Sequence, residues 1–236
     1  MSRWRLSRWR LSRWRGISDF VSEISGCACE NADRRLQTLE VPLCETAAVR
    51  SVTLHLVRHG ETEWNAERRF QTPEVPLSEM GRSQAAAVSE ALAEMLRSRT
   101  DGELALLSSD YARTMETAVI IGGRLGLPIV REPLLRERNF GVARGQLYAD
   151  IGEETIASWR DPRVRIEGGE SWADVFVRVE ELMSRLRAAP PAGELVLVTH
   201  GGTMNVMLQR LAGVEIDAFA LAPLENCALR TVEVGR

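Results

Sequence analysis

The stretch LHLVRHGETEWN, residues 54–65, joins an apolar run to residues that can perform chemistry. Arg58, His59 and Gly60 follow the apolar residues directly, and a cluster of polar groups comes next. An imidazole can act as a nucleophile or as a proton carrier near neutral pH, and an arginine binds anions. The stretch therefore predicts proton or phosphoryl chemistry at the end of a buried strand.

A second stretch repeats this pattern much later in the chain. LVLVTHGGT, residues 195–203, is again an apolar run that ends in His-Gly, here His200 and Gly201. One such histidine is more often structural, but two of the three histidines occupy matched strand ends. The glycine after each is expected to let the backbone turn sharply and approach a ligand closely. The remaining histidine, His55, lies within the strand body and is predicted to be structural.

Two further stretches contain an arginine and a carboxylate suited to the same chemistry. SSDYARTMETA, residues 108–118, places Arg113 early in a predicted helix, where its planar guanidinium suits phosphate oxygens. LLRERNFGVARGQ, residues 134–146, places Glu137 after two leucines. A carboxylic acid beside apolar and anionic groups can hold a proton and donate it. Either residue alone would be interpreted as a solvated surface charge.

Hydrophobic periodicity predicts the elements that must position these residues. Strands are predicted over 51–57, 103–109, 127–131, 194–202 (running into a glycine turn) and 227–234. Helices are predicted over 77–99, 110–126, 171–189 and 203–212, with Ser78 as a plausible N-cap of the first. Because strands alternate with helices, we predict an α/β domain with a mainly parallel sheet, which binds ligands at the carboxyl ends of its strands.

Composition excludes several other classes of protein. The 236 residues have a net charge of −3, so the whole chain is not expected to be a general nucleic-acid binder. No apolar run approaches the length that crosses a bilayer. The cysteines, Cys27, Cys29, Cys44 and Cys227, form no CxxC pair, which argues against a zinc site and a disulfide framework. A reducing cytoplasm is the expected location.

Residues 1–50 are predicted to be an N-terminal extension of a domain over 51–236. Residues 2–15 repeat the unit Ser-Arg-Trp-Arg-Leu almost three times, and no acid precedes Asp19. Such a segment could lie on an anionic membrane, bind nucleic acid or act as an organelle transit peptide. Because a period of five matches neither helix nor strand, we favour a disordered leader, of the kind that a start codon assigned too far upstream would produce.

Together these stretches resemble the histidine phosphatase superfamily, also called the phosphoglycerate mutase-like family. The resemblance covers residues 51–236 and includes, in the family's order, LVRHGETEWN, LSEMGRSQA, SSDYARTMETA, RERNFG, GGESWADV and VTHGGT. It implies a three-layer α/β/α sandwich with a mainly parallel central sheet. It also implies phosphoryl transfer that uses no metal and no other cofactor.

Carried over by position, the resemblance implies a role for each main residue. His59 is the nucleophile that becomes a phosphohistidine, with a backbone carbonyl expected to fix its tautomer. Arg58, Arg113 and His200 hold the phosphoryl oxygens. Glu137 is the general acid, which protonates the leaving oxygen and then helps to deprotonate the attacking water.

Further residues are predicted to bind the substrate or its phosphate: Asn65, Thr62, Gly201 (through its amide), Gln71 and Arg160. Thr72 follows Gln71 where the family usually has glycine, a departure that affects substrate contacts and not the catalytic residues. Glu170 is expected at most to support the residues that touch the substrate, while Ser171 caps the following helix.

The predicted function is hydrolysis of a small-molecule phosphate ester. Mutases of the family have a longer insertion between the acid and the GES motif, with paired arginines, whereas the segment between Glu137 and Glu170 is short and has no adjacent arginine pair. The substrate class stays open among sugar phosphates, phosphoglycerates, nucleotides and the phosphorylated precursor of the cobalamin lower ligand. The alternatives are a 2,3-bisphosphoglycerate-dependent phosphoglycerate mutase and a non-catalytic binding protein on the same fold. The oligomeric state that we consider for this protein is a homodimer.

Overall fold

The computed structural model describes residues 51–97 and 103–235, with a five-stranded sheet at the centre. The strands are β1 (Val52–Arg58), β2 (Leu104–Ser108), β3 (Ile129–Arg131), β4 (Glu194–Thr199) and β5 (Leu229–Val234). Their order is β3-β2-β4-β1-β5, and only β5 runs antiparallel to its neighbour. The predicted mainly parallel sheet is confirmed. The predicted extension over residues 1–50 lies outside the described residues.

The register of the sheet brings three strand ends together. In the pairing of β1 with β4, Arg58 lies opposite Thr199, and in the pairing of β2 with β4, Ser108 lies opposite Val198. Because these strands are parallel, their carboxyl ends lie at one edge of the sheet. His59, Ser109 and His200 follow these ends directly, so strands far apart in the chain deliver their next residues to one place.

Seven helices surround the sheet within the described part of the chain. They are α1 (Glu63–Ala66), α2 (Glu79–Leu96), α3 (Ala112–Leu125), α4 (Tyr148–Ile151), α5 (Glu153–Ser158), α6 (Trp172–Ala188) and α7 (Gly201–Leu211). Short 3₁₀ turns occur at Pro133–Leu135, Gly141–Ala143 and Ile216–Ala218. None of the described helices is both long and apolar enough to cross a membrane.

The strands bury both of their faces, since alternate side chains point to opposite sides of a sheet. On one side, Val57, Val196 and Val198 pack with side chains of α2 and α3. On the other side, Leu54, Leu56, Leu195 and Leu197 pack with side chains of α6 and α7. Helices therefore cover both faces, and the predicted three-layer α/β/α sandwich is confirmed.

Helix caps account for most element boundaries. The Ser78 side chain accepts from the Gly81 amide at the start of α2, and Ser171 forms a capping box with Asp174 at the start of α6, as predicted. Gly126 ends α3 in the left-handed conformation, with φ of 69°.

Two predicted boundaries near the sheet edge are wrong. Helix α7 begins at Gly201, two residues early, with His200 as an extended N-cap, so the expected glycine turn is the first turn of a helix. The last strand starts at Leu229 instead of residue 227. Cys227 has φ of 57°, a left-handed conformation that a strand cannot include.

Candidate active site

His59 lies at the end of β1 with its imidazole buried and oriented by the adjacent backbone. Its Nδ1 is 2.7 Å from the Gly60 carbonyl oxygen. Since a carbonyl can only accept, Nδ1 carries the proton and Nε2 has a free lone pair. The His59 amide also donates to the Thr199 carbonyl, which ties the residue to the end of β4. The expected tautomer control by a backbone carbonyl is confirmed.

His200 lies beside His59, with ring centroids 5.3 Å apart. Its Nε2 is hydrogen-bonded to Ser109 Oγ at 2.9 Å, and its Nδ1 has no partner among the described residues. The ring of Tyr111 packs edge-on against His200, with centroids 5.2 Å apart. The imidazole is therefore fixed on one nitrogen and one face, and Nδ1 is unpartnered within a fully buried ring.

Two arginines bring positive charge to the histidines. Arg113 is 2% exposed, donates to the Thr72 carbonyl at 2.9 Å and lies over the ring of Tyr111. Arg58 donates to the Leu224 carbonyl. The Nε atoms of both guanidinium groups are buried and have no partner within the described residues. Because buried donors are nearly always hydrogen-bonded, these nitrogens indicate a site for an anion.

Burial and charge together set the protonation states at this edge. Burial, followed by the charges of Arg113 and Arg58, lowers the pKa of His59 well below 6.5. Burial, followed by the charge of Arg113, does the same to the pKa of His200. Burial lowers the pKa of Arg113 to about 10, so this side chain keeps its charge at neutral pH. Both imidazoles are thus neutral beside two cations.

Arg58, His59 and Arg113 line one small cavity of about 110 Å³. Glu137 also lines it, as do Asn65 and Gln71. Its size and its cationic donors suit a phosphoryl group.

Glu137 is held at the amino terminus of α7. Its carboxylate accepts from the Gly202 amide at 3.0 Å and from the Thr203 amide at 3.1 Å. A Cβ at Gly202 would lie 2.6 Å from Glu137 Oε1 and 2.5 Å from the ring of Trp172, so only glycine permits this approach. The helix that follows His200 therefore also positions the predicted acid.

Asn65 is oriented by neighbours that the sequence patterns do not connect to it. Its Oδ1 accepts from the Thr62 amide and hydroxyl, and it lies 3.4 Å from Asn226 Nδ2. Because donors surround Oδ1, Nδ2 is the group left free to donate to a ligand. Asn226 Nδ2 also donates to the His59 carbonyl at 3.1 Å.

The remaining predicted binding residues divide into three groups. Thr62 is fully buried in a capping box with Asn65 and does not line the cavity, so its predicted substrate contact stays a prediction. Gln71 lines the cavity with a buried Oε1 that has no partner among the described residues. Gly201 and Arg160 line an adjoining larger cleft.

The two glycines that follow the histidines are explained by close packing within the protein, which differs from the sharp turn that the sequence suggested. Neither Gly60 nor Gly201 has a positive φ. A Cβ on Gly60 would lie 2.4 Å from the Gly81 carbonyl oxygen, so the missing side chain admits the start of α2 and not a ligand. A Cβ on Gly201 would lie 3.3 Å from Arg58 Nε. These glycines permit close packing of the elements that carry the site.

Two residues near the site are structural. Both ring nitrogens of His55 are bonded, to Thr231 Oγ1 and to Glu194, each at 3.0 Å, as expected of a structural histidine. Glu170 accepts from the Asn139 amide at 2.7 Å and lies 3.3 Å from Arg178 Nε. Glu170 thus supports the loop that follows Glu137, in agreement with its expected supporting position.

Sequence reasoning missed three residues that contact the site: Ser109, Tyr111 and Asn226. Ser109 and Tyr111 lie in residues 108–118, the stretch that contains Arg113. Their position directly after β2 could have indicated that they lie at the site. Asn226 had no signal, because only folding brings the loop before β5 beside His59. Among the described residues, no group of three or more His, Cys, Asp or Glu is placed to hold a metal ion.

Comparisons with known proteins agree with this geometry. The family model described as histidine phosphatase superfamily (branch 1) matches residues 54–236. A Yersinia pestis protein named as a probable phosphoglycerate mutase is 35% identical over 187 residues, which are 76% of this chain and 84% of the relative. The solved structure of Mycobacterial hydrolase 1 is 31% identical with a TM-score of 0.69, over 78% of this chain and 92% of that one. A mycobacterial glucosyl-3-phosphoglycerate phosphatase, in complex with VO₃, is 31% identical with a TM-score of 0.67, over 76% and 90%.

Proposed function

The chain belongs to the histidine phosphatase superfamily, and from this premise we propose that it hydrolyses small-molecule phosphomonoesters through a phosphohistidine on His59. The observation that supports this most strongly is the neutral, oriented imidazole of His59 beside two arginines with unpartnered nitrogens. Phosphoryl transfer needs positioning and charge stabilisation above all, and this edge of the sheet offers both.

In the first half-reaction, the lone pair of His59 Nε2 attacks phosphorus and the ester P–O bond breaks. Arg58, Arg113 and His200 bind the equatorial oxygens and stabilise their charge without a metal ion. The Glu137 carboxyl group transfers its proton to the leaving oxygen, so the alcohol departs neutral. Because Nδ1 keeps its proton on the Gly60 carbonyl, the ring carries a formal positive charge, next to the negative phosphoryl group, until the P–N bond breaks.

In the second half-reaction, water attacks the phosphohistidine. The Glu137 carboxylate takes a proton from this water as its oxygen bonds to phosphorus, and the P–N bond breaks. His59 returns to its neutral state, Glu137 returns to its protonated state, and inorganic phosphate leaves. The same carboxyl group therefore serves as acid and then as base, on the same side of the phosphoryl group.

A phosphoglycerate mutase is the second candidate, since the Yersinia relative has that name. A mutase must bind a carboxylate and a second phosphate, which requires uncommitted cations. Between Glu137 and Glu170, Arg138 donates to three backbone carbonyls, and Arg163 and Arg165 pair with Asp217 and Asp174. The same segment also contains Arg144, whose buried Nε has no partner among the described residues, and Arg160, which is exposed. The short segment without an adjacent arginine pair, and not a lack of free cations, therefore supports hydrolysis over isomerisation.

The test is phosphate release from a panel of phosphomonoesters, with and without EDTA. The panel includes 3-phosphoglycerate, and isomerisation is followed in the same samples with and without 2,3-bisphosphoglycerate. We expect phosphate release that EDTA does not reduce and that the His59→Ala variant abolishes. Isomerisation that requires the bisphosphate would instead assign a mutase.

A folded protein with neither activity would favour the non-catalytic binding protein. Inhibition by EDTA would contradict the metal-free mechanism. The proposed partners are a small phosphate ester and, for assembly, a second copy of the chain. The cysteine pattern supports a reducing cytoplasm as the proposed location.

A further inference from the structure

A second cleft of about 730 Å³ opens directly beside the phosphoryl cavity. The two share six lining residues: Arg58, Phe70, Glu137, Arg138, Phe140 and Tyr148. An ester whose phosphoryl group lies against His59 must place its alcohol portion outside the small cavity. Glu137, the proposed donor to the leaving oxygen, lines this cleft and also a cleft of about 530 Å³ that shares only Tyr111 and Glu137 with the phosphoryl cavity. Because the 730 Å³ cleft is the more continuous with the phosphoryl cavity, the alcohol portion is placed there.

Aromatic side chains dominate the walls of this cleft: Phe70, Phe140, Tyr148, Trp159, Trp172 and Phe219. Phe70 contacts three other rings of the cleft, with centroids 4.3 Å to 5.6 Å away. Phe219 is in turn supported by Trp172, at 5.3 Å, and by Phe176 of α6. Mutual packing therefore holds these walls in place before any ligand arrives.

Two polar side chains of the cleft, Arg138 and Asn205, are already committed to the protein. Each of the three nitrogens of the Arg138 guanidinium donates to a backbone carbonyl, those of Glu170, Trp159 and Val164. The Asn205 amide bonds the backbone at Gly201 and Ala222 through both of its polar atoms. These groups cannot turn to a ligand without leaving a backbone group unsatisfied.

Arg160 differs from the other charged residues of the cleft. It is exposed, and its side chain makes no hydrogen bond or ion pair with any described residue. It follows Trp159, so one mobile cation lies near an aromatic wall. This arrangement provides for one acidic group on the ligand, and the buried Trp172 Nε1, which has no partner among the described residues, provides one further donor.

We propose that the cleft selects phosphomonoesters whose alcohol portion is aromatic or otherwise apolar and planar. This proposal rests on the proposed hydrolase function and names its substrate class. A planar apolar group buries its surface against fixed rings, which is favourable in proportion to the area removed from water. A sugar would bring several hydroxyls against mainly aromatic walls and the committed Arg138 and Asn205 side chains, and each unmatched hydroxyl opposes binding.

The test compares alkyl esters, because their leaving oxygens have similar basicity. We would measure kcat/KM for ethyl phosphate, glucose 6-phosphate and naphthylethyl phosphate. We expect the naphthylethyl ester to exceed ethyl phosphate by about 10- to 100-fold, through apolar burial. Glucose 6-phosphate should remain within a few-fold of ethyl phosphate.

Two variants then connect the preference to the cleft. Trp159→Ala removes an aromatic wall but keeps the carbonyl that Arg138 needs, and it should lower the naphthylethyl-to-ethyl ratio by about tenfold. Leu221→Asn keeps the volume of an exposed lining residue and removes its apolar surface, so a smaller fall in the ratio is expected. The matched control, Val177→Asn, changes a residue that is 71% exposed on α6 and does not line the cleft, and it should leave the ratio unchanged.

The outcomes separate this proposal from the proposed function. Hydrolysis of all three esters with glucose 6-phosphate equal to or better than the naphthylethyl ester would overturn the substrate class and leave the hydrolase intact. A preference that survives both cleft variants would also overturn it. No hydrolysis of any ester by a folded sample would reject the proposed function, and the substrate class with it.

Discussion

The contacts of Glu137 explain where its carboxyl group lies. Its proposed role in proton transfer needs a kinetic test. The amides at the start of α7 hold both carboxylate oxygens, so the group is fixed in the cavity that His59 also lines. A fixed carboxyl group can transfer a proton only to an oxygen that arrives in the right place. The leaving group of the substrate therefore decides how much its proton matters.

We predict that Glu137→Gln slows alkyl phosphates by about 100-fold or more, and p-nitrophenyl phosphate by about tenfold or less. A nitrophenolate leaves without protonation, whereas an alkoxide does not. The measurement is kcat/KM for both esters, with Glu153→Gln, an exposed residue of α5, as the matched control. Equal slowing of the two esters would argue against the general-acid role.

Asn226 contacts two residues of the site and does not line the cavity. Its amide holds the His59 carbonyl and helps to orient Asn65, so we propose that it is a positioning residue. We predict that Asn226→Ala lowers kcat/KM by about tenfold, the equivalent of one hydrogen bond, and raises the inhibition constant for vanadate. A variant with lower thermal stability but unchanged kcat/KM and vanadate inhibition would assign Asn226 to the fold alone.

Helix α7 joins three parts of the site in one element. Its N-cap is His200, a Cβ on its first residue would lie 3.3 Å from Arg58 Nε, and its next two amides hold Glu137. A strand that runs directly into a helix has no loop to absorb change, so displacement of one part affects the others. This crowding requires glycine at position 202.

We predict that Gly202→Ala lowers kcat by at least about 10-fold, because the new methyl group would displace the Glu137 carboxylate and the Trp172 ring. The matched control is Gly123→Ala in α3, where an added Cβ meets no atom within 4 Å. That variant should keep full activity and gain about 0.5–1 kcal/mol of stability, from the helix propensity of alanine. Wild-type kcat in Gly202→Ala would show that the Glu137 contact is dispensable.

The folded protein buries two neutral histidines, His59 and His200, and their burial makes the stability of the protein depend on pH. The pKa values of His59 and His200 are held well below 6.5, first by burial and then by arginine charges. The unfolded chain therefore binds protons below pH 6.5 that the folded chain does not. The stabilising contribution is complete above the unfolded pKa and is lost as the pH falls toward the folded pKa values.

We predict that the free energy of unfolding falls between pH 6.5 and about pH 5, by about 1.4 kcal/mol per pH unit for each histidine. Urea denaturation across this range gives the slope. The His59→Asn and His200→Asn variants should each reduce the slope, whatever their effect on stability at neutral pH. An unchanged slope in both variants would show that the two imidazoles titrate normally in the folded protein.

Local patterns in the chain were sufficient for much of the architecture. The apolar runs before His59 and His200, the helix caps at Ser78 and Ser171 and the alternation of strands with helices depend on residues close together in sequence. Because parallel strands share a direction, these patterns also indicated that both histidines would meet at one edge. The quoted motifs identified the family by the same local information.

Contacts between segments that are distant in sequence could be identified only from the tertiary structure. Packing alone placed Glu137 on the first amides of α7, brought Asn226 to His59 and committed Arg138 to backbone carbonyls. Packing also placed the hydroxyl of Thr62 in a helix cap, although its motif suggested a ligand contact. The protonation states of the two histidines and the accessible surface of the cleft depend on which atoms are buried. Burial is a property of the folded chain and not of any stretch of sequence.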